Sequence, residues 1–66
     1  MEYTLKLAIA RAKKEFVKYG SSNYPSVSSL WNVFKNIYHL RKDEKQDFFK
    51  SISKWSIKNY LDLRLD

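Results

Sequence analysis

The chain predicts an all-α fold, a small three-helix domain over residues 1–66 with helices at about 2–19, 26–40 and 43–63. Three observations predict it. Apolar residues recur at helical spacing in three separate segments. No run keeps the period-two alternation of a strand, and none carries a hairpin turn. The only Gly and the only Pro fall in one short stretch, Gly20-Ser21-Ser22-Asn23-Tyr24-Pro25, so strong backbone punctuation interrupts the chain once.

In the first helix Leu5, Ile9, Ala12, Phe16 and Tyr19 follow 4-3-4-3 spacing, with Ala8 beside them. That spacing places them on one face, and Leu7, Arg11, Lys14 and Lys18 on the opposite one. Gly20 suits the left-handed position just past a helix end, and Pro25 suits the start of the next helix. Ser26 is the expected N-cap of the second helix. Its core face comprises Val27, Leu30, Trp31, Phe34, Ile37 and Tyr38. Tyr24, in the loop before it, either caps the core or stacks on a partner.

Asp43 with Gln46 three residues later reads as a capping box, and Glu44 suits the positive end of a helix dipole. The third helix then presents Phe48, Phe49, Ile52, Trp55 and Tyr60 on one broad face. Arg41-Lys42 contains neither Gly nor Pro, which leaves open a single bent helix spanning the second and third segments. A straight helix to Leu63 would be roughly 30 Å long. A compact chain of this size has a radius of gyration of only about 11 Å. The C-terminal turns must therefore project or bend back. Ile57, Leu61 and Leu65 sharpen that choice, since a continuing helix puts them on the far side from Phe48, Ile52 and Trp55. Either they form a self-association or partner surface, or the helix breaks near Ser56 and the tail packs onto the core.

Sixty-six residues bury only about 60% of the surface of the unfolded chain, so each core residue counts. There is no Cys to provide a disulfide staple; aromatic residues, 17% of the chain, are the expected compensation. No apolar run approaches the roughly 20 residues that span a bilayer, and the N-terminal segment lacks a signal-peptide pattern. A soluble, cytoplasmic protein is the expectation.

Charge is the main functional clue. The formal net charge is +6, all of it carried by residues 1–42, and residues 16–42 contain no Asp or Glu. Such a stretch favours a polyanionic partner. On the second helix Ser28, Asn32, Lys35, Asn36 and His39 share the polar face, and Arg41 and Lys42 follow at its end. Asn reads adenine edges, Lys contacts guanine or phosphate, and Ser and His donate to phosphate. Arg11, Lys14 and Lys18 would extend this footprint. Lys50, Lys54 and Lys58 form another stripe, diluted by Asp47.

The first functional expectation is therefore a basic, non-enzymatic binding module for nucleic acid, DNA first, acting through the second helix as a regulator or accessory factor. The alternative is a protein-binding adaptor or inhibitor, of the phage or mobile-element kind, acting on a host or defence complex. Its basic surface would meet an acidic protein patch, and Ile57, Leu61 and Leu65 would form the interface. A homodimer through that apolar trio would present two second helices to a duplex. Catalysis has little to work with. His39 is the only His, no nucleophile–base set accompanies it, and no metal-ligand or phosphate-loop motif is present, so no catalytic residue, metal or cofactor is expected.

Overall fold

A computed structural model of the chain describes residues 3–66. It contains α1 (Tyr3–Tyr19), α2 (Val27–Ile37) and α3 (Lys45–Lys58), the last entered through a single 3-10 turn at Lys42–Glu44. The expected start of the first helix at Glu2 lies outside the described residues. The domain measures 26 × 20 × 18 Å with a radius of gyration of 10.6 Å.

α1 is rich in good helix formers and contains neither Gly nor Pro. It buries Leu5, Ala8, Ile9, Ala12 and Phe16, the face expected from spacing, but Tyr19 at its end is exposed. Gly20 adopts φ +74° and donates its N–H to the Phe16 carbonyl at 2.7 Å. Among the described residues, nothing beyond its chain neighbours stands within 4 Å of where its Cβ would be. The requirement for glycine is therefore conformational and not steric. The Gly20 carbonyl then accepts the Asn23 and Tyr24 N–H groups, closing the loop.

Ser26 caps α2 as expected, in an extended conformation, with its side chain accepting the Ser29 N–H at 3.2 Å. Ser29 completes the box by taking the Ser26 N–H at 3.1 Å, a role more common for Glu or Gln. α2 ends three residues earlier than the spacing predicted. His39 occupies the left-handed region at φ 54°, and the Leu40 N–H turns back to the Lys35 carbonyl at 2.9 Å. This closure turns Leu40 back against the core and leaves Ile37 exposed, contrary to its expected core position.

Helices two and three are separate. The capping box expected from Asp43 and Gln46 lies two residues earlier, where the Glu44 carboxylate accepts the Arg41 N–H at 2.8 Å. Glu44 is 6% exposed, and its second carboxylate oxygen, Oε2, has no hydrogen-bond partner among the described residues. It acts as a buried cap at the entry to the third helix, the helix start for which its position in the sequence suited it.

All three helices pack against one another, and α3 carries the ring contacts that join it to both of the others. Trp31 of α2 meets Phe48 with ring centroids 5.4 Å apart, and Phe16 of α1 meets Trp55 edge-on at 6.2 Å. Phe48 is the largest fully buried side chain. Tyr24 packs on Phe34, which makes it a lid on the core.

α3 stops at Lys58, and the chain does not project. Tyr60 sits at φ 55° while Tyr60 and Leu61 donate N–H groups to the Ile57 and Ser56 carbonyls at 3.2 and 3.0 Å. This double closure reverses the chain, as a glycine commonly does. Tyr60 itself is 96% exposed and takes no part in the apolar face predicted for it. The reversal delivers Leu63 to the core, where it is 5% exposed, and packs Leu61 against the same cluster. Ile57, Leu61 and Leu65 consequently do not form a helical stripe. Ile57 and Leu65 are exposed, whereas Leu61 faces the core.

Candidate nucleic-acid interface

The reversed tail determines what α2 can offer. A helix start leaves backbone N–H groups without intrahelical partners. Here the Val27 N–H donates to the Arg64 carbonyl at 2.9 Å and the Ser28 N–H to the Asp66 carbonyl at 3.1 Å. The Arg64 N–H returns to the Pro25 carbonyl at 3.1 Å, and Ser26 and Arg64 form a parallel bridge. The N–H groups that would face a phosphate at this helix start are thus taken by the chain's own tail.

The tail also brings acids. Ser21 Oγ donates to Asp62 Oδ2 at 2.9 Å, and Arg64 pairs with Asp66 at 2.6 Å. The stretch that lacks acids in sequence therefore has two carboxylate residues laid across its start in space. Of the expected polar face, Asn32 and Asn36 are exposed, and Asn36 Nδ2 donates to the Asn32 carbonyl at 3.0 Å. Ser28 and Lys35 are half-buried. His39 lies beyond the helix, and Arg41 reaches Asp43 at 3.2 Å. Lys42 opens the 3-10 turn. The seven residues are therefore split between a helix face, a helix end and the start of another element.

The expected stripe on α1 divides as well. Arg11 Nε holds Glu15 at 2.9 Å, and this hydrogen bond raises the guanidinium pKa above its ordinary value. Both residues border a cleft of about 270 Å³ between α1 and α2, walled by Tyr24, Phe34 and Tyr38. Lys18 lies over its neighbour Tyr19, 5.2 Å from the ring centre. Of the three, only Lys14 borders a depression that α3 also lines, through Ser51.

Packing assembles a different site on the α1/α3 side. Two adjoining depressions of about 510 and 330 Å³ share Lys13 and Ser51. Lys6 and Lys14 extend this groove along α1, while Lys54, Trp55 and Lys58 continue it along α3. Among the described residues no Asp or Glu lines either depression. Lys13 Nζ stands 5.8 Å from the centre of the Trp55 ring, a cation–π contact at the middle of the groove. The Lys50/Lys54/Lys58 stripe separates here. Lys50 and Asp47 border another hollow with Gln46, Phe49 and Ser53. Seven residues of helix put Asp47 about 10 Å along the axis from Lys54.

Lys6, Lys13, Lys54, Lys58 and Trp55 were outside the predicted interface. The signal for them was present as two basic runs, on α1 and α3, but only their helices' contact joins the two. Among the described residues no group of three or more His, Cys, Asp or Glu side chains could hold a metal ion, and no helix is long and apolar enough to cross a membrane. The chain matches no protein-family model, no curated protein and no solved structure.

Proposed function

We propose that the protein binds nucleic acid through the phosphate backbone, along the α1/α3 groove. The observation that carries this reading is the meeting of Lys6, Lys13 and Lys14 with Lys54 and Lys58 along one shallow groove that no carboxylate lines among the described residues. Like charges brought together repel one another, and a polyanion relieves that repulsion while releasing its own condensed counterions. Lysine is a point charge on a flexible stem and suits backbone binding; the groove contains no Arg fork to read guanine. Ser51 adds a hydroxyl donor, and Trp55 an aromatic surface of the kind on which bases stack. This reading keeps nucleic acid as the partner and moves the contact surface away from α2, whose first turn is covered.

A salt titration of binding to single-stranded DNA, duplex DNA and RNA tests it. If all five lysines meet phosphates, log K should fall with log salt at a slope of about −3.5 on a single strand and about −4.5 on a duplex. Trp55 gives a local readout, because it lines the groove while Trp31 is buried. Binding should quench the Trp55 emission and leave that of a Trp55→Phe variant unchanged. Lys54→Glu with Lys58→Glu should weaken binding at least about tenfold at 100 mM salt with an unaltered thermal melt. Undiminished binding by that variant would exclude the groove.

A further inference from the structure

α1 has a second apolar face. At about 100° per residue, Tyr3, Leu7, Ala10 and Val17 fall within an arc of about 80°, interrupted by Lys14, which also borders the lysine groove, and lie opposite the buried arc of Leu5, Ile9, Ala12 and Phe16. All are exposed, Tyr3 to 76%, Leu7 to 43% and Val17 to 70%. No core requires them, since the opposite arc already supplies every buried residue of α1. Basic residues flank the stripe: Lys6 and Lys13 on one side, Arg11 and Lys18 on the other. The only acid in α1, Glu15, lies on the α2 side of the helix and is paired with Arg11.

We infer that this outward face of α1 docks an acidic amphipathic helix from a partner protein. The occupant follows from complementarity. An apolar stripe needs an apolar stripe, and basic rows on both flanks call for acidic rows on both flanks of the visitor, as charged positions flank the seam of a coiled coil. A second copy of α1 would bring lysine against lysine, a like-charge pairing that disfavours self-association here. From Tyr3 to Val17 the stripe is about 21 Å long, enough to seat four turns of helix. Lys6, Ala10, Lys13 and Lys14 border both surfaces, but Leu7 and Val17 line neither depression of the lysine groove and Lys54 and Lys58 lie on α3 away from the stripe, so each surface can be broken without the other.

The test uses a synthetic helical peptide of about 18 residues with Leu at i, i+3, i+4 and i+7 spacing and Glu on both flanks. Its control is a peptide of identical composition in scrambled order. Titration calorimetry should give saturable binding to the protein. Affinity should be at least about tenfold weaker for the scrambled peptide, and equally so for a Leu7→Ser/Val17→Ser variant. Both replaced residues are exposed, so the variant should keep its thermal melt; Val17→Ser alone, the more exposed of the two changes, should show part of the loss. Lys54→Glu with Lys58→Glu should leave peptide binding within about twofold, which separates this surface from the nucleic-acid groove. Equal binding of the scrambled peptide would overturn the inference, because charge alone would then suffice. So would undiminished binding by the serine variant, or binding of phosphatidylglycerol vesicles with none of the peptide. A concentration-dependent dimer abolished by Leu7→Ser/Val17→Ser would assign the face to a second copy and equally overturn it.

Discussion

The α1/α3 groove and the junction between α2 and the tail experience opposite effects of the same folding step. At the groove, two helices each contribute lysines, and the sum is a shallow surface that no carboxylate lines among the described residues. At the junction, a loop and helix start free of acids in sequence receive Asp62 and the Asp66 backbone from the far end of the chain. A run of charge along a sequence is therefore not a patch of charge on a surface. A patch forms where packing adds runs of one sign, and it disappears where packing overlays the other sign.

The largest effect should come from breaking the junction at its anchor. Leu63→Ala removes a buried side chain supplied by the tail and should cost about 2–4 kcal/mol. A domain of this length has a total stability of about 3–10 kcal/mol, so urea unfolding would show a severe loss. A cost under about 1 kcal/mol would mean that the tail lies on the core without being part of it.

Charge reversal on each side comes next. Lys54→Glu with Lys58→Glu should reduce nucleic-acid affinity at least about tenfold, whereas Lys35→Glu with Lys42→Glu should reduce it less than about threefold under the same salt. The reverse order, measured by salt-controlled anisotropy, would return the contact surface to α2.

The bend that creates the junction can be eased. Tyr60 holds a left-handed backbone that favours glycine, and its side chain is almost wholly exposed. Tyr60→Gly should therefore stabilise the fold by about 0.5–1 kcal/mol, and Gly20→Ala, at an already left-handed glycine, should destabilise it by about 1 kcal/mol. Thermal melts read both. A lower melting temperature for Tyr60→Gly would mean that its side chain has a role the geometry does not suggest.

The smallest effect concerns the junction's acid. Asp62→Asn keeps an acceptor for the Ser21 hydroxyl and removes one negative charge. Stability should change by no more than about 0.5 kcal/mol, as for most exposed substitutions. Binding at low salt should tighten less than about twofold if the groove, and not the junction, carries the contact. A larger gain would show that the junction faces the ligand.

Much of the fold was legible because it is local. The spacing of Leu5, Ile9, Ala12 and Phe16, the Ser26 cap and the Gly20 stop each act within a few residues of themselves. The helix ends at His39 and Tyr60 were not legible, since neither residue type marks a stop; their left-handed conformations accompany the packing of Leu40, Leu61 and Leu63. For the proposed site, the basic runs were readable but not which lysines packing would bring together. Lys14 was named with neither of its α1 neighbours Lys6 and Lys13, and Lys54 and Lys58 join these three only because α1 rests against α3.

By itself the sequence determined three helices, one hydrophobic face on each, and an excess of positive charge. These follow from periodicity, capping and composition, which act at short range. Only the tertiary structure decided that the third helix reverses at Tyr60, that the tail covers the start of α2, and that lysines from two helices share one groove. Those outcomes depend on which buried side chains meet, such as Phe48 with Trp31 and Phe16 with Trp55, and on contacts between residues distant in the chain. Surface charge follows the same contacts, because it is set by where backbones come to rest.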